Sequence, residues 1–242
     1  MEKLTAISLF SGAGGMDFGF QSAGFHVLAA VENDPSCCDT LRANLDPQNV
    51  WERDISRISG RELLDGIGIE KGELDLIFGG PPCQSFSLAG NRQGLNDPRG
   101  MMVGHFVRLV RELMPKAFVM ENVKGMLNWS NGAAVDLIKS EFEGTFELFG
   151  EAFQYHCEYK VLNAVDFGVP QRRERLFIVG NRLGKKFKFP SPTHVDGADI
   201  QGKPQYVSVG KAIGELPEAD PPSKTALRVS GTISDRITRH GY

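Results

Sequence analysis

Cys83 follows two prolines in Gly79-Gly80-Pro81-Pro82-Cys83-Gln84-Ser85-Phe86-Ser87, directly after the apolar run Leu74–Phe78. Paired prolines stiffen the backbone, so this cysteine reads as a placed nucleophile rather than a small buried hydrophobe. A free thiol has a pKa of about 8.5 and needs an electropositive setting or a general base to act as thiolate. Two further clusters supply partners. Met120-Glu121-Asn122-Val123 ends another apolar run, and a carboxyl at a strand end inside a cleft is a candidate proton donor. Phe167 to Arg175 carries three arginines within four positions. Alternation along an extended segment puts Arg173 and Arg175 on one side and Arg172 and Glu174 on the other. Two guanidinium groups facing a cleft suit a polar base edge or a phosphate.

A second group of residues suits a nucleotide-like ligand. Phe10-Ser11-Gly12-Ala13-Gly14-Gly15 lies between an apolar run and a helix-like stretch. Glycines let backbone approach a ligand, and a helix start presents free amides. Glu32 ends the next apolar run, 20 residues after Gly12, where an acid can accept both ribose hydroxyls. Asp54 ends a third run and suits an adenine amino group. The loop departs from GxGxxG, since Gly14 and Gly15 are adjacent and Asp17 stands in the last glycine's place. The set points to an adenosine-containing cofactor without a pyrophosphate cradle.

These residues sit at the ends of regularly alternating elements. Strand-like runs at Leu4–Phe10, His26–Val31, Val50-Trp51, Leu74–Phe78 and Ala117–Met120 alternate with helical patterns ending near Ala23, Asn44, Gly66, Leu113 and Phe142. Pro35 starts the second helix and Ser59 caps the third. Tyr155–Leu162 and Arg175–Val179 read as an antiparallel pair. The alternation predicts an α/β fold with a doubly wound, mostly parallel sheet and an antiparallel strand near its C-terminal end. Ligands of such sheets bind at the carboxyl ends of the strands, where all these clusters lie.

Composition sets outer bounds. With 41% hydrophobic residues, 24% charged and a net charge of −3, the chain is an ordinary soluble globular protein rather than a disordered or membrane one. No run approaches the roughly 18 apolar residues of a spanning helix, and the start leads directly into a strand. The expectation is a cytoplasmic protein with no cleaved leader and no membrane partner. Cys37, Cys38 and Cys157 form no CxxC pair or metal ladder with Cys83 and read as small buried hydrophobes.

The ordered blocks Phe10–Gly15, Glu32 with Asp54, Pro81–Ser87, Glu121–Val123 and Gln171–Arg175 resemble the DNA cytosine-5 methyltransferases, with Asp97-Pro98-Arg99-Gly100 and Pro115-Lys116 fitting between. The resemblance runs over about residues 1–190. It implies a Rossmann-like methyltransferase fold, S-adenosylmethionine as cofactor and S-adenosylhomocysteine as product. It assigns cofactor binding to Phe10, Ser11, Gly12, Gly14, Gly15, Glu32, Asn33, Asp54, Ile55, Pro81 and Met102, the last replacing the leucine of many relatives. It makes Cys83, Glu121, Arg173 and Arg175 catalytic, and gives Gln84, Ser85, Ser87, Asn122 and Val123 contacts to substrate. The substrate implied is double-stranded DNA, its cytosine flipped out of the stack, within a bacterial restriction-modification system. Gln84–Gly100 would close over the DNA.

Beyond Phe189 the periodicity fades, giving a catalytic domain over 1–190 and, over 191–242, a linker and the start of a target-recognition region. Only a short helix-like piece near Val209–Glu215 interrupts the Pro, Gly and Ser-rich tail. The family's Arg/Thr/Glu/Arg/Gln block and final Gly-Asn segment have no counterpart. The expectation is a shortened chain or a split enzyme whose second polypeptide carries the recognition region. Three rivals remain: a transfer RNA cytosine-5 methyltransferase, disfavoured by Ser87 after Phe86; a non-catalytic DNA-binding subunit, which predicts erosion of the cysteine, glutamate or arginine positions; and a nicotinamide enzyme on the same fold.

Overall fold

The structure, a computed structural model, describes residues 3–82, 101–127, 133–197 and 202–216. Five parallel strands form its centre: β1 (Thr5–Leu9), β2 (His26–Glu32), β3 (Val50–Glu52), β4 (Leu76–Gly79) and β5 (Ala117–Val123). Four of the five residues of β1 and all four of β4 are buried, as expected of strands covered on both faces. Two longer strands, β8 (His156–Asn163) and β9 (Glu174–Asn181), complete a seven-stranded sheet of order β3-β2-β1-β4-β5-β9-β8. β9 runs antiparallel to both neighbours and places Phe177 opposite Glu121 and Arg175 opposite Val123. The doubly wound, mostly parallel sheet with a late antiparallel strand is therefore the fold expected. A two-stranded hairpin, β6 (Phe146–Leu148) and β7 (Glu151–Phe153), was not anticipated. Its turn sets both Phe149 and Gly150 at positive φ, a geometry that sequence flags only when Asn-Gly or Asp-Gly stands there.

The helices start where their caps dictate. Asp34 accepts from the Cys37 amide at 3.0 Å ahead of α2 (Pro35–Asn44). Ser59 accepts from the Glu62 amide at 3.1 Å ahead of α3 (Gly60–Ile67). Together with α4 (Met101–Leu113) and α5 (Ala133–Glu143), α3 covers one sheet face, packing Leu63, Phe106, Leu109 and Phe142 on Ile7, Ile77, Phe118 and Ile178. On the other face α1 (Gly15–Ser22) and α2 bury Cys38, Leu41, Ala6, Ala30 and Phe78, with Phe20 stacked on Phe78 at 4.2 Å. Adjacent cysteines on a helix point about 100° apart, so Cys38 is buried while Cys37 is only partly covered, as is Cys157.

That second face is covered unevenly. Beside α1, the residues Ala117, Val119, Phe177 and Val179 open into an apolar groove of about 520 Å³ that Leu183, Phe187 and Phe189 also line. Among the described residues, no helix is long and apolar enough to cross a membrane.

Candidate active site

The glycine loop starts with a backbone conformation that the sequence does not announce. Phe10 has φ of 56°, in the left-handed region that side chains other than glycine rarely adopt. The Ser11 amide bonds the Val31 carbonyl at 3.2 Å, turning the chain off the end of β1. Gly14, at φ 87°, precedes α1, and a Cβ there would sit 3.0 Å from Leu41 Cδ2. A Cβ on Gly12 or Gly15 would meet nothing within 4 Å, so their backbone faces open space that a ligand can approach.

Glu32 locks this loop to the end of β2. Its Oε2 accepts from the Gly12 amide at 2.8 Å, and its Oε1 from the Asn33 and Asp34 amides at 2.8 and 2.9 Å. Three of the carboxylate's roughly four acceptor sites are thus taken, and Oε2 keeps one for a hydroxyl donor. Asp54 caps the next turn, accepting from the Ser56 hydroxyl at 2.7 Å and the Ser56 amide at 2.9 Å. The hydroxyl bond is the main reason its carboxyl lies below the usual range, followed by the amide bond. Phe10, Glu32, Asn33, Asp54, Ile55, Pro82 and Met102 line one small cavity of about 80 Å³. The slot is apolar at Phe10, Ile55 and Met102 and ends in the carboxylates of Glu32 and Asp54.

Phe10 also borders a larger cavity of about 500 Å³, shared with Ser8, Ser11, Gly15, Gly79, Gly80, Glu121, Arg173 and Arg175. Here the expected alternation is visible. Arg175 Nε lies 3.0 Å and Arg173 Nη2 3.7 Å from Glu121 Oε1. On the opposite side Glu174 accepts from Lys124 Nζ at 2.9 Å, and Arg172 pairs with Asp196 at 3.2 Å. β5 runs three residues past Met120, so Glu121 stands inside a hydrogen-bonded strand rather than at its end. The antiparallel partner β9 is what extends the strand. The Glu121 side chain is 19% exposed, and a Cβ on Gly80 would lie 3.2 Å from its Oε2. Glycine there leaves that second oxygen clear.

Asn122 is buried. Its Nδ2 donates to the Pro81 carbonyl at 3.1 Å and its Oδ1 accepts from the Val123 amide at 2.8 Å. It pins the proline turn to β5, whereas Val123 is 40% exposed at the mouth of the strand. Cys83, Gln84, Ser85 and Ser87 lie outside the described residues, as does the whole of the closing loop Gln84–Gly100. Sequence reading missed the contribution of Leu162, Ala164, Phe167 and Phe177 to the larger cavity, since apolar residues carry no chemical signature. It also missed Ser8, a polar residue inside an apolar strand, which was a usable signal. Part of the segment after Phe189 is tied down: Thr193 and His194 amides bond Asp166 O at 2.8 and 3.0 Å, and Tyr206 donates to Asp166 Oδ1 at 2.6 Å. It thereby braces the turn that leads into Arg172–Arg175.

Comparison with known proteins fits this geometry. A family model described as C-5 cytosine-specific DNA methylase matches residues 4–240. Type II methyltransferase M.AquIA of Picosynechococcus sp. is 56% identical over 250 residues, with 100% of both chains covered. Type II methyltransferase M1.HphI of Haemophilus parahaemolyticus is 42% identical over 218 residues, covering 89% of this chain and 54% of that one. A prophage-encoded chain of E. coli, solved as a candidate DNA modification methyltransferase, superposes with a TM-score of 0.69 at 28% identity, covering 89% of this chain and 56% of the other. The chain thus spans the whole of the first relative and about half the length of the other two.

Proposed function

Because the chain belongs to the C-5 cytosine-specific DNA methylase family, we propose that it methylates carbon 5 of cytosine in double-stranded DNA. The methyl donor in this reading is S-adenosylmethionine, the product S-adenosylhomocysteine, and the setting the cytoplasmic modification arm of a bacterial restriction-modification system. The observation that carries it is the convergence of Arg175 and Arg173 on Glu121 in the cavity that begins at the glycine loop. A transfer RNA substrate is not favoured, since the matched family is one of DNA methylases.

The two cavities divide the work. Glu32 and Asp54 hold the adenosine of the donor, Asn33, Ile55, Pro82 and Met102 flank it, and the open backbone at Gly12 and Gly15 lets its amino acid end approach the start of α1. When bound, the donor supplies an electrophilic methyl group on a sulfonium. The Cys83 thiolate adds to carbon 6 of the flipped base, and the displaced electron pair makes carbon 5 nucleophilic. Glu121 holds a proton at ring nitrogen 3, so that no full negative charge builds on the base. Arg173 and Arg175 fix Glu121 and bind the base carbonyl, while Gln84, Ser85, Ser87 and Val123 surround the flipped nucleotide and Asn122 steadies the proline turn. Loss of the carbon 5 proton then returns an electron pair to the ring, breaks the bond to carbon 6 and frees the Cys83 thiolate. DNA carrying 5-fluorocytosine, whose fluorine blocks that last step, should leave a covalent adduct with the wild-type chain and none with Cys83→Ala. An adduct on the alanine variant overturns the assignment.

Residues 1–190 form the catalytic domain in this proposal, and 191–242 the approach to a target-recognition region. A second polypeptide carrying that region is the partner it implies. The apolar groove beside α1, which none of the described residues covers, supports the idea, since an exposed patch of that character marks a docking surface.

A further inference from the structure

Asp17 has no exposed surface, and neither of its carboxylate oxygens accepts a hydrogen bond of normal geometry. It stands in the first turn of α1, directly behind the glycine loop. Burying a carboxylate without partners is strongly unfavourable. Burial raises its pKa from 3.8 to about 6, and the Ser8 hydroxyl and its own amide pull it back only in part. Ser8 is itself 1% exposed and accepts from Ser11 Oγ at 2.8 Å. Both serines line the cavity of about 500 Å³. A hydroxyl carries one proton. With the Ser11 proton committed to Ser8, the Ser8 proton is free to turn toward an ionised Asp17. The remaining lone pairs of Ser11 are left for the cavity.

We propose that Asp17 is a positioning residue which, through Ser8 and Ser11, makes the cavity prefer the cationic sulfonium donor over the uncharged thioether that remains after methyl transfer. The inference rests on the reading of S-adenosylmethionine as methyl donor. The two ligands differ by one methyl group and one positive charge, so a nearby buried negative charge acts on their difference. The amino end of α1 opposes binding of that positive charge, because helix amides present partial positive charge. An acid in the first turn offsets that partial charge at the start of α1. At an effective dielectric constant of about 20, a charge pair within a nanometre is worth on the order of tenfold or more in affinity.

Few other groups can mimic the effect. α1, β1 and β4 carry no other ionisable side chain. β2 contributes His26 and Glu32 at its two ends, and α2 contributes Cys37, Cys38, Asp39 and Arg42. Across the cavity stand Glu121, Arg173 and Arg175. Influences of these groups on the parts common to both ligands cancel in the ratio of the two affinities.

Calorimetric titration of the full chain with S-adenosylmethionine and with S-adenosylhomocysteine, between pH 5 and 7, tests this. The wild-type preference for the sulfonium should rise as pH passes about 6, with fractional proton release on binding the sulfonium and none on binding the thioether. Asp17→Asn should lower the preference on the order of tenfold and make it independent of pH. Ser8→Ala should lower it in part. A wild-type ratio flat across this range overturns the proposal even if the asparagine variant fails to fold. So does an Asp17→Asn chain that loses thermal stability but keeps the ratio, which is the mark of a helix-capping acid. Failure of both ligands to bind the wild type would instead remove the cofactor reading beneath it.

Discussion

Glu32 serves two masters, the loop that it holds and the ribose that it is proposed to bind. Three backbone amides converge on its carboxylate, so Glu32→Ala removes both an anchor and a ligand contact. S-adenosylmethionine affinity should fall by about 1.5–3 kcal/mol, the range for hydrogen bonds to a charged group, as read by calorimetry. Unchanged affinity would restrict Glu32 to a structural part. Glu121 differs in kind. Its Oε1 is held by Arg175 at 3.0 Å, leaving Oε2 for the base. Glu121→Gln should therefore cost single-turnover rate more than DNA affinity, because its bond strengthens only as the ring accepts the thiolate. A variant that loses affinity and keeps its rate would make Glu121 a binding residue.

At the scale of elements, the end of the sheet opposite the site is stapled by one acid. Asp75 accepts from the Thr5 amide at 2.7 Å, the Thr5 hydroxyl at 3.1 Å and Lys116 Nζ at 2.7 Å. It joins the start of β1 to the approaches of β4 and β5. Burial pushes its carboxyl up, but the Lys116 and Thr5 bonds outweigh burial and the net shift is downward. A native pKa below the unfolded one stabilises fully above the unfolded value, near 3.8, and the stabilisation fades as pH falls through the native value. Asp75→Asn should cost about 1.5–3 kcal/mol near neutral pH. It should also flatten the loss of stability below about pH 4, as followed by urea unfolding at stepped pH. An unaltered acid limb would mean that other carboxylates govern acid unfolding.

The whole molecule presents one sheet face that its described helices cover incompletely. Methylation of defined DNA by the purified chain should be weak, and should rise when a polypeptide carrying the recognition region is added. Phe187→Asp in the apolar groove, at a residue 38% exposed, should abolish that rise while leaving S-adenosylmethionine binding by the chain intact. Full, site-specific activity without the added polypeptide would overturn the partner proposal. The legibility of the molecule follows the same division between local and distant. Local chemistry was readable: the start of α2 at Pro35, the Ser59 cap, and the side-to-side alternation of Arg172 to Arg175 all follow from covalent geometry and near neighbours. So did the position of each cluster at a strand end, because right-handed strand-helix-strand crossovers leave the carboxyl edge of the sheet as the ligand edge. What needed the tertiary structure was every consequence of residues far apart in sequence. Pairing with β9 carried β5 past Glu121. The fold turned Asn122 inward onto Pro81, and buried both Ser8 and Asp17 behind the loop. It strained Phe10 into the left-handed region, and left Val119, Phe177 and Phe187 facing an open groove. Hydrogen-bond periodicity is written in adjacent residues, but burial and electrostatic surroundings depend on which strands meet, and those exist only once the chain has closed on itself.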